Sequence, residues 1–312
     1  MPEQWDVDQI PDQSGKTVVV TGANSGIGYE AAKVLAAKGA QVIFACRNMD
    51  KAKAAVASLH EEVSDANVDV MELNLASLDS IRSFADAYRA RFDSLHVLCN
   101  NAGVMALPKR TTDDGFEMQL GTNHFGHFAL TGLLLEPLLN AGDARVVSVS
   151  SIAHRTGKMN FDDLQSEQKY QKWVAYGQSK LANLLFIFEL NRRAAAAKAD
   201  LIAAAAHPGY AATKLQSAGP EMSGSAVSKL FWAFANQTFA QSQHAGSWPT
   251  LFAVTDPSVR GGDYIGPSAM MEARGLPKKV DSNNRSKKTD DWKRLWDISE
   301  ELTSVSYEFP SV

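Results

Sequence analysis

Tyr176 and Lys180 stand four residues apart in the run Tyr176-Gly177-Gln178-Ser179-Lys180, a spacing that places both side chains on one face of a helix. A phenol of ordinary pKa, near ~10, is a poor acid or base at neutral pH. An ammonium group beside it favours the phenolate and predicts a lowered pKa, suited to passing a proton to or from a carbonyl or alcohol oxygen. A second cluster, Val146-Val147-Ser148-Val149-Ser150-Ser151, reads as a buried strand ending in hydroxyls. The carboxyl ends of strands are where open α/β sheets bind ligands. A third is the glycine-rich run Thr21-Gly22-Ala23-Asn24-Ser25-Gly26-Ile27-Gly28, between an apolar strand and a helical pattern. There the backbone can approach a pyrophosphate and the helix N-terminus offers free N–H groups.

The next strand ends Phe44-Ala45-Cys46-Arg47-Asn48. A carboxylate in this place would accept from the ribose 2′-hydroxyl of NAD. No acid is present, and the planar, permanently charged guanidinium of Arg47 suits a 2′-phosphate instead. This predicts NADP(H) as the cofactor, with Asn24 and Ser25 as additional donors.

These groups need a sheet to position them. Apolar runs of strand length alternate with longer segments of helical period, the pattern of a parallel sheet covered on both faces. Strands are expected at Lys16–Thr21, Gln41–Cys46, Val68–Leu73, Leu95–Cys99, Ala144–Val149 and Leu201–Ala206, with a weaker seventh near Asp263–Ile265. Helices are expected at Ile27–Lys38, Lys51–Val63, Leu78–Phe92, Phe116–Leu139 and Trp173–Ala197. The fold class is therefore α/β, a Rossmann-like doubly wound sheet. The 312 residues exceed one such unit, yet no repeat or Pro/Gly/Ser linker divides them. One domain is expected, with residues 1–14 as a polar leader, 15–266 as the core, 155–172 as an inserted loop and 268–312 as a C-terminal extension. Within the core, 214–242 forms an aromatic segment. In the extension, Trp292, Leu295, Trp296 and Ile298 can share a helical face.

Composition excludes several classes. With 31 Lys+Arg against 35 Asp+Glu, the chain is mildly acidic and has little electrostatic pull toward nucleic acid. Its two cysteines, Cys46 and Cys99, cannot build a disulfide framework or a four-thiolate metal site; both lie in apolar runs and read as reduced, buried thiols. No basic segment followed by an apolar stretch opens the chain, and no apolar run reaches the ~20 residues of a membrane helix. A cytoplasmic location without a membrane anchor is the expectation. His124, His127, His154 and His207 have no carboxylate or cysteine at ligand spacing, so they read as packed or hydrogen-bonded rather than metal-binding. The basic run Lys278–Arg294 is interrupted by Asp281, Asp290 and Asp291 and reads as a solvated tail.

The motifs Thr21–Gly28, Asn100-Asn101-Ala102-Gly103, Asn123, Ser151, Tyr176–Lys180 and His207-Pro208-Gly209 occur in an order that resembles a classical short-chain dehydrogenase/reductase over about residues 15–266. The resemblance implies a seven-stranded sheet and a catalytic set of Asn123, Ser151, Tyr176 and Lys180. Tyr176 would be the acid/base and Ser151, rather than Ser150, would hold the substrate oxygen. Lys180 would lower the Tyr176 pKa and bind the nicotinamide ribose, while Asn123 would hold a relay water. Gly22, Gly28, Asn100, Ala102 and Gly103 would line the NADP(H) site, with Ile27 beneath the pyrophosphate. Pro208, Gly209 and Thr213 would frame the nicotinamide. At Leu73-Asn74-Leu75 the family usually has Asp before the second Leu; Asn74 offers a carbonyl oxygen for adenine in its place, beside Leu75.

A narrower likeness, to retinol-dehydrogenase-like and protochlorophyllide-reductase-like reductases, is carried by residues 122–128, 150–154, 161–164, 176–186 and 294–303, and is closer on the retinol-dehydrogenase side. The implied reaction is hydride transfer to or from the carbonyl carbon of a small-molecule substrate. Phe231, Trp232, Phe234 and Phe239 could line an apolar lid or pack that segment onto the body, and His154 could face the substrate. A bulky apolar ketone, aldehyde or secondary alcohol is the expected class. In many family members the helices corresponding to 116–139 and 173–197 associate, so a homo-oligomer is one expected assembly. The rivals are a non-catalytic NADP(H)-sensing or scaffold protein on the same fold, which would have lost the Tyr or Lys, and a sugar-nucleotide epimerase, which usually spaces its glycines differently.

Overall fold

The computed structural model describes residues 5–210 and 242–310. Among the described residues, eight strands form one sheet: β1 (Thr17–Thr21), β2 (Gln41–Cys46), β3 (Val68–Glu72), β4 (Val97–Asn100), β5 (Ala144–Val149), β6 (Leu201–Ala206), β7 (Tyr264–Ala269) and β8 (Arg274–Lys279). Their order is β3-β2-β1-β4-β5-β6-β7-β8. All neighbours are parallel except β7 and β8. The order reverses between β1 and β4, which opens a crevice outside the carboxyl ends of these strands.

The β-branched run Thr17-Val18-Val19-Val20-Thr21 shows how the sequence builds the two layers. Side chains alternate across a strand, so Val19 enters one core with Leu98 and Phe128. Val18 and Val20 enter the other, with Phe44 and Leu35. Helices α1 (Gly26–Ala37), α2 (Met49–Glu62), α3 (Leu78–Arg89) and α7 (Lys172–Ala196) lie close to the expected spans. Both cysteines are free and buried, and burial pushes their thiols up to about 11 and about 12.

Three regions differ from expectation. The first is the long helix expected over 116–139, which is four pieces: α4 (Met118–Leu120), a π-turn (Gly121–Phe125), α5 (Gly126–Leu133) and α6 (Leu135–Asn140). Pro137 cannot donate to the Leu133 carbonyl and crowds it, and the chain leaves helical geometry at Leu134, with φ −102° and ψ 11°. The π-turn carries Asn123. Such turns interrupt helices at functional positions more often than elsewhere.

The second is the amino end, which is fastened rather than trailing. Ile10 is buried, and Trp5 packs edge-on against Trp248 and Phe252 of α8 (Gln243–Thr255).

The third is the carboxyl end, which supplies β8 and α9 (Thr289–Thr303) to the body. Trp296 is 1% exposed, stacked on Phe186 and set against Phe128 and Tyr307, with the Arg193 guanidinium over its ring. Leu295 is buried and Trp292 and Ile298 are half-buried, so the apolar face read from the sequence is the face that packs. Residues 155–172 are likewise sewn down. Gln178 of α7 accepts from Asn160 N and donates to the Leu164 carbonyl, and Gln119 donates to Tyr170 Oη and the Lys172 carbonyl.

Candidate active site

Tyr176 and Lys180 sit one turn apart on α7, and both are buried. Lys180 Nζ donates to the Val149 carbonyl at 2.9 Å, where β5 ends, and lies 5.9 Å from the Tyr176 ring centre. The Ser151 side chain lies close enough to the Tyr176 phenol to lower its pKa, and its hydroxyl accepts from Ala153 N at 3.2 Å, opening a short 3-10 turn, Ile152–Arg155. The neighbouring Ser150 hydroxyl donates to the Lys180 carbonyl at 2.8 Å. Of the adjacent pair, Ser151 is therefore the one beside the tyrosine.

Burial pushes the Tyr176 phenol up to about 12, with the Ser151 side chain acting in the opposite direction, and it lowers the Lys180 ammonium to about 8. The expected lowering of the Tyr176 pKa is thus reversed in direction. Desolvation of the phenolate dominates, and the ammonium is aimed at the Val149 carbonyl. Around neutral pH the phenol keeps its proton and Lys180 is still mainly charged.

Asn123 is immobilised within the π-turn. Its Oδ1 accepts from Val104 N at 2.8 Å, and its Nδ2 donates to the Val104 carbonyl at 3.0 Å and to Ser179 Oγ at 2.9 Å. Its own carbonyl lies 3.0 Å from His127 Nδ1, and His127 Nε2 lies 3.0 Å from Thr21 Oγ1. His127 is buried and its pKa falls to about 4, so the ring is neutral and links the glycine turn to the π-turn.

The turn from β1 to α1 has positive φ at Gly22 (+68°) and Gly26 (+67°), which glycine adopts freely. A Cβ on Gly22 would sit 3.0 Å from Ala102 Cβ, and one on Gly28 would clash with Asn101 Nδ2 and lie 2.9 Å from the Gly22 carbonyl. Ser25 precedes α1 without a side-chain cap, and the first turn of α1 contains no acid. Backbone N–H groups are therefore left for an anion. Gly22, Asn24, Ser25, Ile27 and Gly28 line a cleft of about 470 Å³ together with Ala102, Gly103, Ser151, Tyr176, Lys180, Pro208 and Gly209. A glycine cradle that a side chain would fill, facing an uncapped helix end, fits the pyrophosphate of a dinucleotide.

Other expected residues fall elsewhere. Arg47 is exposed at the carboxyl end of β2, on the same edge of the sheet as the glycine turn. Asn74 follows β3; its Oδ1 accepts from Ala76 N at 3.2 Å, and Leu75 is buried beside it. Asn100 is 0% exposed and donates to Thr131 Oγ1 at 3.0 Å. It turns toward α5, and Asn101 lines the cleft in its place while donating to the Thr21 carbonyl at 2.8 Å. His154 is also corrected: it is 0% exposed and stands behind the cleft, with Nδ1 2.6 Å from the Ser151 carbonyl and 3.3 Å from Tyr264 Oη. Burial lowers its pKa to about 4, so a neutral His154 donates to Ser151 and braces its backbone. Thr213, Phe231, Trp232 and the segment 214–242, apart from its last residue, lie outside the described residues.

Met105, Ile152, Trp173 and Tyr210 also line the cleft and were not singled out in the sequence. Trp173 is 44% exposed and meets Tyr176 edge-on at 6.2 Å. Its position three residues before Tyr176, on the same helical face, was the available signal.

Residues 16–223 match the family model for short chain dehydrogenases. The chain is 41% identical to mouse retinol dehydrogenase 12, over 96% of this chain and 89% of that protein. It is 39% identical to human retinol dehydrogenase 13, over 96% of this chain and 87% of that protein. Among solved structures, an uncharacterized protein from Mycobacterium paratuberculosis is 41% identical with a TM-score of 0.81, covering 99% of this chain and 100% of that one. A short chain dehydrogenase from Shigella flexneri complexed with NADP shares the fold, with 21% identity and a TM-score of 0.63, over 82% of this chain and 98% of that one. No helix among the described residues is long and apolar enough to cross a membrane. The chain belongs to the short-chain dehydrogenase family of oxidoreductases, in its retinol-dehydrogenase-like branch.

Proposed function

We propose that this protein is an NADP(H)-dependent oxidoreductase that interconverts the carbonyl and alcohol forms of a bulky apolar small molecule. The observation that carries this reading is one cleft lined both by Ser151, Tyr176 and Lys180 and by an open glycine cradle. Met105, Val149, Ile152, Trp173 and Tyr210 line it, which supports an apolar substrate. When bound, the nicotinamide supplies the hydride. Gly22, Asn24, Ser25 and Gly28 would hold its pyrophosphate, Arg47 the 2′-phosphate and Asn74 the adenine. Asn101, Ala102 and Gly103 would line the stretch toward the nicotinamide, which Pro208 and Gly209 would frame.

The side chains divide the proton chemistry. Tyr176 donates its proton to the substrate oxygen during reduction and recovers it during oxidation, a transfer that needs the neighbouring positive charge of Lys180 because burial alone disfavours the phenolate. Ser151 donates a hydrogen bond to the same oxygen. The Lys180 ammonium stabilises the negative charge that develops on the phenol and the substrate oxygen, and Asn123 holds the adjoining π-turn rigid through Val104 and Ser179. Oxidation of NADPH in the presence of carbonyls graded by size and polarity tests the reading. Turnover should rise with apolar bulk, and equal turnover of small polar carbonyls would overturn the substrate assignment.

Two further outcomes follow. Arg47→Asp removes the cation expected at the 2′-phosphate and adds an anion there, so the ratio of kcat/KM with NADPH to that with NADH should fall by about tenfold to a hundredfold, the scale of a lost charge-assisted hydrogen bond. An unchanged ratio would remove Arg47 as the selector. Burial also disfavours the Lys180 ammonium, which is lost above a pKa of about 8. With NADPH saturating, reductive kcat should be level below pH 8 and decline above it; a profile without an inflection between pH 7 and 9 would contradict this role for Lys180.

A further inference from the structure

The hairpin joining β7 and β8 lies beyond the stretch matched by the family model, yet it reaches back to the site. Met270, Met271 and Glu272 have φ of +50°, +54° and +67°, a left-handed run that side-chain-bearing residues rarely adopt and that surrounding contacts must enforce. Glu272 makes two such contacts. Its Oε1 accepts from Arg155 Nη2 at 2.8 Å, and its Oε2 lies 3.2 Å from His207 Nε2. Arg155 closes the turn that begins at Ser151, while His207 leads into Pro208 and Gly209 on another part of the cleft wall.

The tautomer of His207 follows from its other bond. Nδ1 accepts from Gly209 N at 3.2 Å, so Nε2 carries the proton; it touches the Glu272 carboxylate at 3.2 Å without the alignment of a hydrogen bond. The residue after Glu272 adds a backbone link, as the Ala273 carbonyl accepts from Tyr210 N at 2.8 Å. The Tyr264 ring packs 5.3 Å from His154 and 5.1 Å from His207, beside the two side chains that Glu272 joins by one hydrogen bond to Arg155 and one close contact with His207.

We propose that Glu272 is a positioning residue for the reaction, a carboxylate brace that fixes the Ser151 turn relative to the His207–Gly209 wall and so aims the Ser151 hydroxyl. This rests on the oxidoreductase reading above. The Arg155 side chain is 44% exposed and that of Glu272 19% exposed, and ion pairs of this kind contribute little to overall stability. Loss of the brace should therefore appear in turnover before it appears in folding, because small misplacements of a reacting group reduce rate steeply.

The test uses the full chain and the variants Glu272→Ala, Glu272→Gln, Arg155→Ala and the double alanine. Glu272→Ala should lower kcat about tenfold, leave NADPH affinity within about twofold and barely move Tm. Glu272→Gln, which keeps an acceptor for Arg155, should recover kcat to within about threefold of wild type. The double variant should be no slower than Glu272→Ala, since both changes cut one path. Unchanged kcat in Glu272→Ala, additive losses in the double variant, or a parallel fall in Tm and NADPH affinity would each overturn the proposal. A wild-type enzyme that reduces no carbonyl would count against the oxidoreductase reading instead. Hydrogen exchange then decides on the brace: Glu272→Ala should speed exchange over residues 152–157 and leave 22–28 unchanged, and equal exchange over 152–157 would overturn it.

Discussion

Tyr176→Phe should lower kcat in either direction by about 10²–10⁴-fold, the range lost when a positioned general acid/base is removed. NADPH affinity should stay within about twofold. The substitution deletes one hydroxyl from a buried side chain and leaves the ring that Trp173 packs against, so the fold has little reason to change. What disappears is the proton that burial holds on the phenol, up to about 12. Ser151 cannot replace it, because an alkoxide has no ring to delocalise its charge, so a serine hydroxyl is a weaker acid than a phenol in the same site. Stopped-flow fluorescence with NADPH separates the two quantities. Near-wild-type turnover in the variant would require another proton donor in the cleft.

The second large effect lies far from the cleft. Trp296→Ala should destabilise the protein by about 3–5 kcal/mol, the usual range for truncating a buried aromatic, read from chemical denaturation. The indole is enclosed by Phe128, Phe186 and Tyr307, and these rings belong to α5, α7 and the segment after α9. Tyr307 Oη also donates to the Phe128 carbonyl at 2.6 Å, and His124 Nε2 lies 2.9 Å from Ser299 Oγ. The carboxyl-terminal helix is therefore packed against both the helix bearing Tyr176 and Lys180 and the π-turn bearing Asn123. A loss below about 1 kcal/mol, as for a surface position, would show that α9 is only appended to the body.

Much of the site was legible because its determinants are local. A glycine turn between a strand and a helix, hydroxyls ending a buried strand and a Tyr–Lys pair one turn apart depend on spacing along the chain. The structure brings those residues to one cleft. The misreadings arose where the answer depends on neighbours distant in sequence. Asn100 and Asn101 are equivalent as letters, and only the hydrogen bond from Asn100 to Thr131 turns the first away from the cleft. His154 was a candidate for the substrate side because it follows Ser151 closely, but the packing of Tyr264 and the Ser151 carbonyl fix it behind the turn.

The direction of the Tyr176 shift was missed for a related reason. A nearby lysine was read from spacing, whereas desolvation depends on how deeply the whole cleft buries the phenol. The π-turn at Asn123 was hidden because an apolar helical pattern does not record an extra residue in one turn. The carboxyl-terminal residues were read as an extension, although Trp296 carried the signal of a core position within a clear apolar face.

The most direct measurement of the proposed chemistry is isotope transfer. NADPH carrying deuterium at the transferable position of nicotinamide C4 is incubated with the enzyme and a bulky apolar aldehyde or ketone, and the alcohol is analysed by mass spectrometry. The predicted result is one deuterium on the carbinol carbon, formed by the wild type and almost absent with Tyr176→Phe. NADPH consumption without deuterated alcohol, or no alcohol from any apolar carbonyl, would contradict it.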